Sequence, residues 1–200
     1  LQLSSQLMKK AKKIKLFIGI FYLTAVGLFL YFFFSKFSLQ EITSYDFIKN
    51  NRNLFFEFKK SNLVLLILLF LLFVIVWVLA AGFISPVAIF GGFIFGKWLG
   101  SILVIFGMAI GATGLYVFAN FFLKDFIRDR FLNKFRGLEL KFKKSEFIYL
   151  LFFRFIGGIP FVIANILPCI FNVKILNYFG ATLIGLLPSI FIVCSVGSGL

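Results

Sequence analysis

A chain of 200 residues that is 62% hydrophobic and only 14% charged carries more apolar surface than one small globule can hide, because soluble domains run at about 45–50% apolar and about 25% charged. Lipid has to cover the remainder, which excludes an ordinary soluble enzyme and predicts an integral membrane protein. The net charge of +14 falls between long apolar runs rather than on a solvated face, so anionic lipid headgroups are the expected partner and nucleic acid is not.

The opening carries Lys9, Lys10, Lys12, Lys13 and Lys15, and Leu16 to Ser35 then holds no charge. This pattern predicts a first transmembrane helix of about 20 residues, retained rather than cleaved as a signal peptide. Residues 36–60 are polar and mixed in charge. Ser38 and Glu41 have capping-box spacing, which predicts a short helix from about Leu39, with Leu39, Ile42, Phe47 and Ile48 toward the bilayer surface.

Ser61 to Gly96 is uncharged and too long for one ordinary span, and Gly82 and Pro86 interrupt it. A span over 63–84 is expected, followed by a short piece, Pro86 to Gly96, about half a membrane thick. Such a piece is expected to be re-entrant, surviving at depth only where protein or a watery cavity surrounds it. Lys97 follows, and Trp98 to Leu123 is long enough to span. Residues 124–146 alternate cations (Lys124, Arg128, Arg130, Lys134, Arg136, Lys141, Lys143, Lys144) with Ile127, Phe131, Phe135, Leu138 and Phe142 at helical spacing. That predicts an amphipathic helix lying on the membrane, its apolar side in the acyl boundary. A second interrupted apolar stretch comes next: Phe147 to Phe153, then Arg154, then Phe155 to Val173 broken by Gly157, Gly158, Pro160 and Pro168. Lys174 leads into a last span, Ile175 to Leu200, despite Pro188.

A shift of 74 residues places Pro86 on Pro160 and Gly111 on Gly185. Paired broken segments in two halves point to a midplane binding site in transporter-like folds. Orientation stays open. Positive-inside reasoning puts both the N-terminal lysines and the 124–146 helix in the cytoplasm, yet three spans between them would place them on opposite sides.

Arg154 is the sharpest chemical signal. An arginine in an apolar setting costs about 2.5–3.5 kcal/mol on insertion scales. It grips a lipid phosphate, pairs with a carboxylate, or snorkels to the interface from its place eight residues after Glu146. Asn165 either hydrogen-bonds a headgroup or satisfies backbone freed by Pro160. Lys97 either snorkels or adds positive charge to a polar cleft. Gly92, Gly96 and Gly100 form a stripe at four-residue spacing, and Gly107 and Gly111 add another pair, which lets helices approach closely. No Gly-Lys-Ser/Thr follows these glycines, so they make no nucleotide loop. Asp125 and Asp129 sit among arginines and read as ion pairs on a helix surface. His is absent, and Cys169 and Cys194 lie in apolar segments without disulfide or metal spacing. No catalytic triad or zinc arrangement is present, so no enzyme activity, metal or cofactor is expected.

The run Gly91-Gly-Phe-Ile-Phe-Gly96, followed by Gly100, Gly107 and Gly111, resembles the first block of the DedA/VTT superfamily, the SNARE-associated Golgi protein family. Phe153-Arg-Phe-Ile-Gly-Gly-Ile-Pro160, then Asn165, Gly180, Gly185 and Pro188, resembles its second block. The resemblance covers about residues 60–200 and is closer to the VTT-domain branch than to bacterial DedA proper. It implies two re-entrant helices facing each other in the membrane, each followed by a span, in proteins similar to lipid scramblases or carriers of lipid phosphates. The family's arginine maps onto Arg154, and its proline and asparagine onto Pro160 and Asn165. Bacterial DedA proteins carry acidic residues around the first re-entrant piece, whereas Ser61 to Gly96 has none. That departure argues against proton coupling and favours a phosphate as the ligand of Arg154.

The expectation is therefore an all-α, polytopic protein with about four spanning helices, two re-entrant broken segments in a pseudo-inverted repeat, and an amphipathic surface helix. Residues 1–60 form a basic segment, first span and polar linker, and residues 61–200 form the VTT-like membrane domain. The expected function is a lipid scramblase or transporter in the plasma (inner) membrane. Its substrate would bind at Arg154, Asn165 and Lys97, with Pro86, Gly92, Gly96, Gly100, Gly111, Pro160 and Gly185 as hinges and packing points. The alternative is a membrane scaffold or small-solute permease whose glycine stripes mediate assembly, which leaves a homo-oligomer open.

Overall fold

The computed structural model describes residues 2–36, 56–57, 59–80, 82–122, 124, 137, 139–140, 142, 144–155 and 160–199. The short helix expected from Leu39 and, apart from isolated positions, the surface helix expected over 124–146 lie outside these residues. Every regular element among them is helical. The chain divides into two units, Leu1–Leu39 and Gln40–Leu200.

The first unit is one helix, α1, Gln2–Lys36. It starts well before the uncharged stretch, because lysine is a good helix former and no proline interrupts. Its apolar stretch presents Phe17, Phe21 and Tyr31 outward. The Thr24 and Ser35 hydroxyls donate to the carbonyls of Ile20 and Phe32 within the helix, so neither needs an outside partner.

The second unit opens its regular structure with α2, Leu63–Leu79. The expected span over 63–84 is shorter than predicted: the helix ends at Leu79 and the next one begins at Ile84. The Gly82 N–H donates to the Trp77 carbonyl at 2.8 Å. The Trp77 indole N–H donates to the Phe83 carbonyl at 2.9 Å, which satisfies backbone that the turn takes out of the helix. α3 runs over Ile84–Phe122 and breaks at Gly96, whose φ of 81° and ψ of 169° are not helical. Its arms are α3a, residues 84–95, and α3b, residues 97–122. Gly91 and Gly100 would stand about 13.5 Å apart on a straight helix, yet a Cβ on Gly100 would overlap the Gly91 carbonyl. The chain therefore reverses at Gly96, and α3a folds back along α3b. Lys59 donates to the Ile94 carbonyl at 2.9 Å, closing the C-terminal end of α3a, where the helix dipole favours a cation.

α2 packs along α3b in the same direction. Val74 faces Gly107, Val78 faces Gly111 and Leu79 faces Gly114. The second half repeats the plan with α4 (Glu146–Phe155), α5 (Phe161–Ile166), a 3-10 segment (Leu167–Phe171) and α6 (Ile175–Ser198). Phe147 lies against Gly180, and Leu151 and Arg154 lie against Gly185, so α4 also runs parallel to the long helix that follows it. The rings of Tyr116 and Tyr178 stack at 4.5 Å, and those of Trp98 and Phe191 meet at 4.9 Å. Numbers rise along α3b as they fall along α6, so these two helices run antiparallel. A Cβ on Gly92 would overlap the Cys194 backbone, and one on Gly197 would overlap that of Ile89; here α3a crosses α6 at backbone contact.

α3 and α6 are long and apolar enough to cross a membrane, while Phe17–Phe32 and Leu63–Leu79 are shorter apolar stretches. α2 is apolar all round, with Val64, Leu68 and Leu72 exposed on one side and Phe70, Val74 and Trp77 buried on the other. This is the pattern of a helix between protein and lipid. Phe142, expected in the acyl boundary, is instead buried and stacks on Phe171 at 4.4 Å. Helical periodicity marks an apolar face without saying whether lipid or protein covers it.

Candidate functional site

Arg154 occupies the last turn of α4 and is 8% exposed. Gly185 lets its stem lie directly on α6, and the guanidinium reaches two hydroxyls of that helix. Nη2 donates to Tyr178 Oη at 2.7 Å and to Thr182 Oγ1 at 3.2 Å. The guanidinium carbon lies 5.6 Å from the centre of the Phe161 ring and 5.3 Å from that of Tyr178, within the range at which a ring face attracts a cation. Nη1 is buried and has no partner among the described residues.

Asn165 sits in α5, fully buried. Its Oδ1 accepts from the Tyr178 hydroxyl at 3.1 Å, while its Nδ2 is buried and has no partner among the described residues. Thr182 Oγ1 donates to the Tyr178 carbonyl at 2.7 Å. Tyr116 stacks on Tyr178 and donates its own hydroxyl to the Val173 carbonyl at 2.6 Å. One buried tyrosine hydroxyl thus joins a guanidinium and an amide, each with a spare donor.

A buried guanidinium whose described partners are two neutral hydroxyls is costly, since the charge keeps its desolvation penalty. The carboxylate at the start of the same helix is engaged elsewhere. Glu146 accepts from the Lys174 N–H at 3.1 Å and from Asn177 Nδ2 at 2.8 Å, at the start of α6. Among the described residues, two buried donors without partners and a guanidinium without a carboxylate stand together, an arrangement whose chemistry suits an oxyanion. Among the described residues no cluster of three His, Cys, Asp or Glu side chains could hold a metal ion.

The structure brings together Arg154, Asn165 and Gly185 from the predicted set and adds Tyr178, Thr182, Phe161 and Tyr116. Tyr178 and Thr182 were legible as isolated hydroxyls four residues apart in an apolar helix, one turn ahead of Gly185. Lys97 lies elsewhere. It is exposed beside the Gly96 reversal, with its Nζ 6.0 Å from the Trp98 ring centre, and Trp98 meets Phe191, nine residues along α6 from Thr182. That interval is about 13.5 Å of helix. Pro86 lies in the first turn of α3a, and Pro160 precedes α5 as its N-cap, so each proline stands at the start of a helix. Gly92, Gly100 and Gly111 meet Cys194, Gly91 and Val78 of this same chain.

The 74-residue correspondence has a packing counterpart, with Gly111 against Val78 and Gly185 against Arg154. The same shift sets Tyr178 over Val104 and Thr182 over Met108, both buried. Both halves keep the glycine contact, and the second alone carries polar groups at these positions.

Residues 83–199 match the family model of the VTT domain, an interval that holds every residue of this cluster. No solved structure matches the chain.

Proposed function

This chain belongs to the VTT domain family and is a membrane protein of the DedA group, and on that premise we propose that it moves the phosphate headgroups of lipids across the bilayer, as a scramblase or transporter. Arg154 and Asn165 supply the binding groups. The reading is carried by one observation: Arg154 Nη1 and Asn165 Nδ2 are buried donors without partners among the described residues, on two groups linked through the Tyr178 hydroxyl.

In this reading α2 with α3a, and α4 with α5 and the 3-10 segment, are two re-entrant hairpins of a pseudo-inverted repeat, each followed by a spanning helix. The antiparallel course of α3b and α6 supports it. α4 has 10 residues, about 15 Å of helix, which is half the hydrocarbon core. Arg154 at its inner end then stands near mid-depth, where a headgroup meets its highest barrier. A fixed guanidinium there replaces part of the water that the phosphate loses. The protein is multi-pass in the plasma (inner) membrane, and anionic lipids are its partners. Gly92 and Gly100 serve contacts within the chain, so the assembly role of a scaffold gains no support from them.

The test is purified protein reconstituted into vesicles that carry a fluorescent phospholipid, with the label in the outer leaflet bleached by a reductant. Wild type should expose inner-leaflet lipid faster than empty vesicles, and Arg154→Ala should lose at least tenfold of that rate, the scale of a charged hydrogen bond. Equal rates in the two proteins would remove Arg154 from the function.

A further inference from the structure

Arg154 and Asn165 hold no bond to each other, and the group that fixes their relative position is the Tyr178 hydroxyl. We propose that Tyr178 is a positioning residue, orienting guanidinium and amide so that Arg154 Nη1 and Asn165 Nδ2 turn toward one shared oxyanion, which the tyrosine itself does not touch. The inference rests on the anion-binding part of the proposed function and not on lipid movement.

A hydroxyl has one proton to give and lone pairs to accept with, and a guanidinium can only donate. The 2.7 Å bond from Arg154 Nη2 therefore uses a lone pair of Tyr178 Oη and leaves its proton for Asn165, whose side-chain Oδ1 accepts at 3.1 Å while its backbone carbonyl lies farther off at 3.4 Å. That proton decides which end of the amide faces the tyrosine. With Oδ1 held there, Nδ2 points away as a free donor. Turned over, the amide would spend Nδ2 on the hydroxyl and present oxygen to the anion, which would repel it. The same hydroxyl holds Nη2, so the fork of the guanidinium is oriented with Nη1 free.

The tyrosine is itself held on three sides. Its ring stacks on Tyr116 at 4.5 Å and 15°, and Tyr116 is tied to the Val173 carbonyl. Its carbonyl accepts from Thr182, whose oxygen is the second acceptor of Nη2. Removing the hydroxyl as Tyr178→Phe keeps ring, stack and volume, and frees only the two hydrogen-bonded partners.

The experiment uses the full chain in detergent and measures binding of two probes separately: inorganic phosphate, and short-chain dihexanoylphosphatidylglycerol. Tyr178→Phe should weaken whichever probe binds by about tenfold, measured at a temperature well below a thermal midpoint that the newly unpaired Asn165 Oδ1 should lower. In an Asn165→Ala background the same change should cost less than about threefold, because one of its two partners is gone and Arg154 keeps Thr182 as an acceptor. Asn165→Asp, which puts a carboxylate beside Arg154, should abolish binding. Thr182→Val should weaken binding less than Tyr178→Phe. Binding of the phospholipid but not of phosphate would identify a headgroup as the ligand; the reverse would identify a free anion. The proposal is overturned if Tyr178→Phe binds like wild type, if its effect is undiminished in Asn165→Ala, or if wild type binds neither probe. Should the binding cycle hold while reconstituted vesicles show no lipid movement, the transport reading falls and the role of Tyr178 stands.

Discussion

Gly185 and Arg154 meet so closely that a Cβ built on the glycine would stand 2.5 Å from the arginine Cβ and 3.1 Å from its Cγ. The glycine is thus the reason α4 can lay a long cationic side chain flat on α6 and aim it at Tyr178 and Thr182.

Gly185→Ala should therefore act on the site as well as on the fold. The added methyl has to push the arginine stem outward, at the usual overpacking cost of about 1–3 kcal/mol, and the guanidinium loses its alignment. Thermal unfolding in detergent and phosphate binding should both fall. Gly111→Ala makes the matching intrusion on Val78, at 2.8 Å from its Cβ, and should lower the midpoint without changing anion affinity. Equal loss of binding in the two variants would mean that Gly185 has no special tie to the site.

Gly96 and Gly100 are needed for different reasons, and alanine separates them. A Cβ on Gly96 has open space but a φ of 81° that side chains rarely adopt, so Gly96→Ala should cost about 1–3 kcal/mol through backbone strain. Gly100→Ala has an ordinary helical backbone but strikes the Gly91 carbonyl, which no rotamer change relieves, so it should separate α3a from α3b. Disulfide trapping between cysteines placed on the two arms should persist in Gly96→Ala and fail in Gly100→Ala. The opposite pattern would refute the reversal at Gly96.

Trp77→Phe keeps most of a buried ring and deletes one donor. The Phe83 carbonyl then loses the bond made at 2.9 Å in a turn that water does not reach if the hairpin is re-entrant, which predicts a loss of about 1–3 kcal/mol. Chemical denaturation in mixed micelles gives the number. No change would place that carbonyl in contact with water.

The membrane assignment was legible from residues 61–123 and 175–200, because hydropathy is a sum over neighbours in the chain and needs no partner. The breaks near Gly82 and Pro160 were legible for the same reason, since glycine and proline act locally. The end of the short piece at Gly96 was legible too, but not the way the arms close there: the chain passes through Pro86 in the first turn of α3a and reverses at Gly96 through a positive-φ backbone, which lays α3a against α3b. Arg154 and Asn165 stood out as polar residues in apolar surroundings, and Lys97 stood out equally, though it faces outward beside Trp98.

Sequence by itself determined that this is a membrane protein and that one arginine lies among apolar residues, and it pointed to two interrupted apolar stretches related by a shift of 74 residues. Tertiary structure alone decided that Arg154 looks toward Tyr178 and Thr182, 24 and 28 residues further on, and that two donors there have no partner among the described residues. The physical reason is that apolar burial depends on composition over a window, whereas a hydrogen bond depends on the position of two atoms, and antiparallel packing of distant helices is what sets that position.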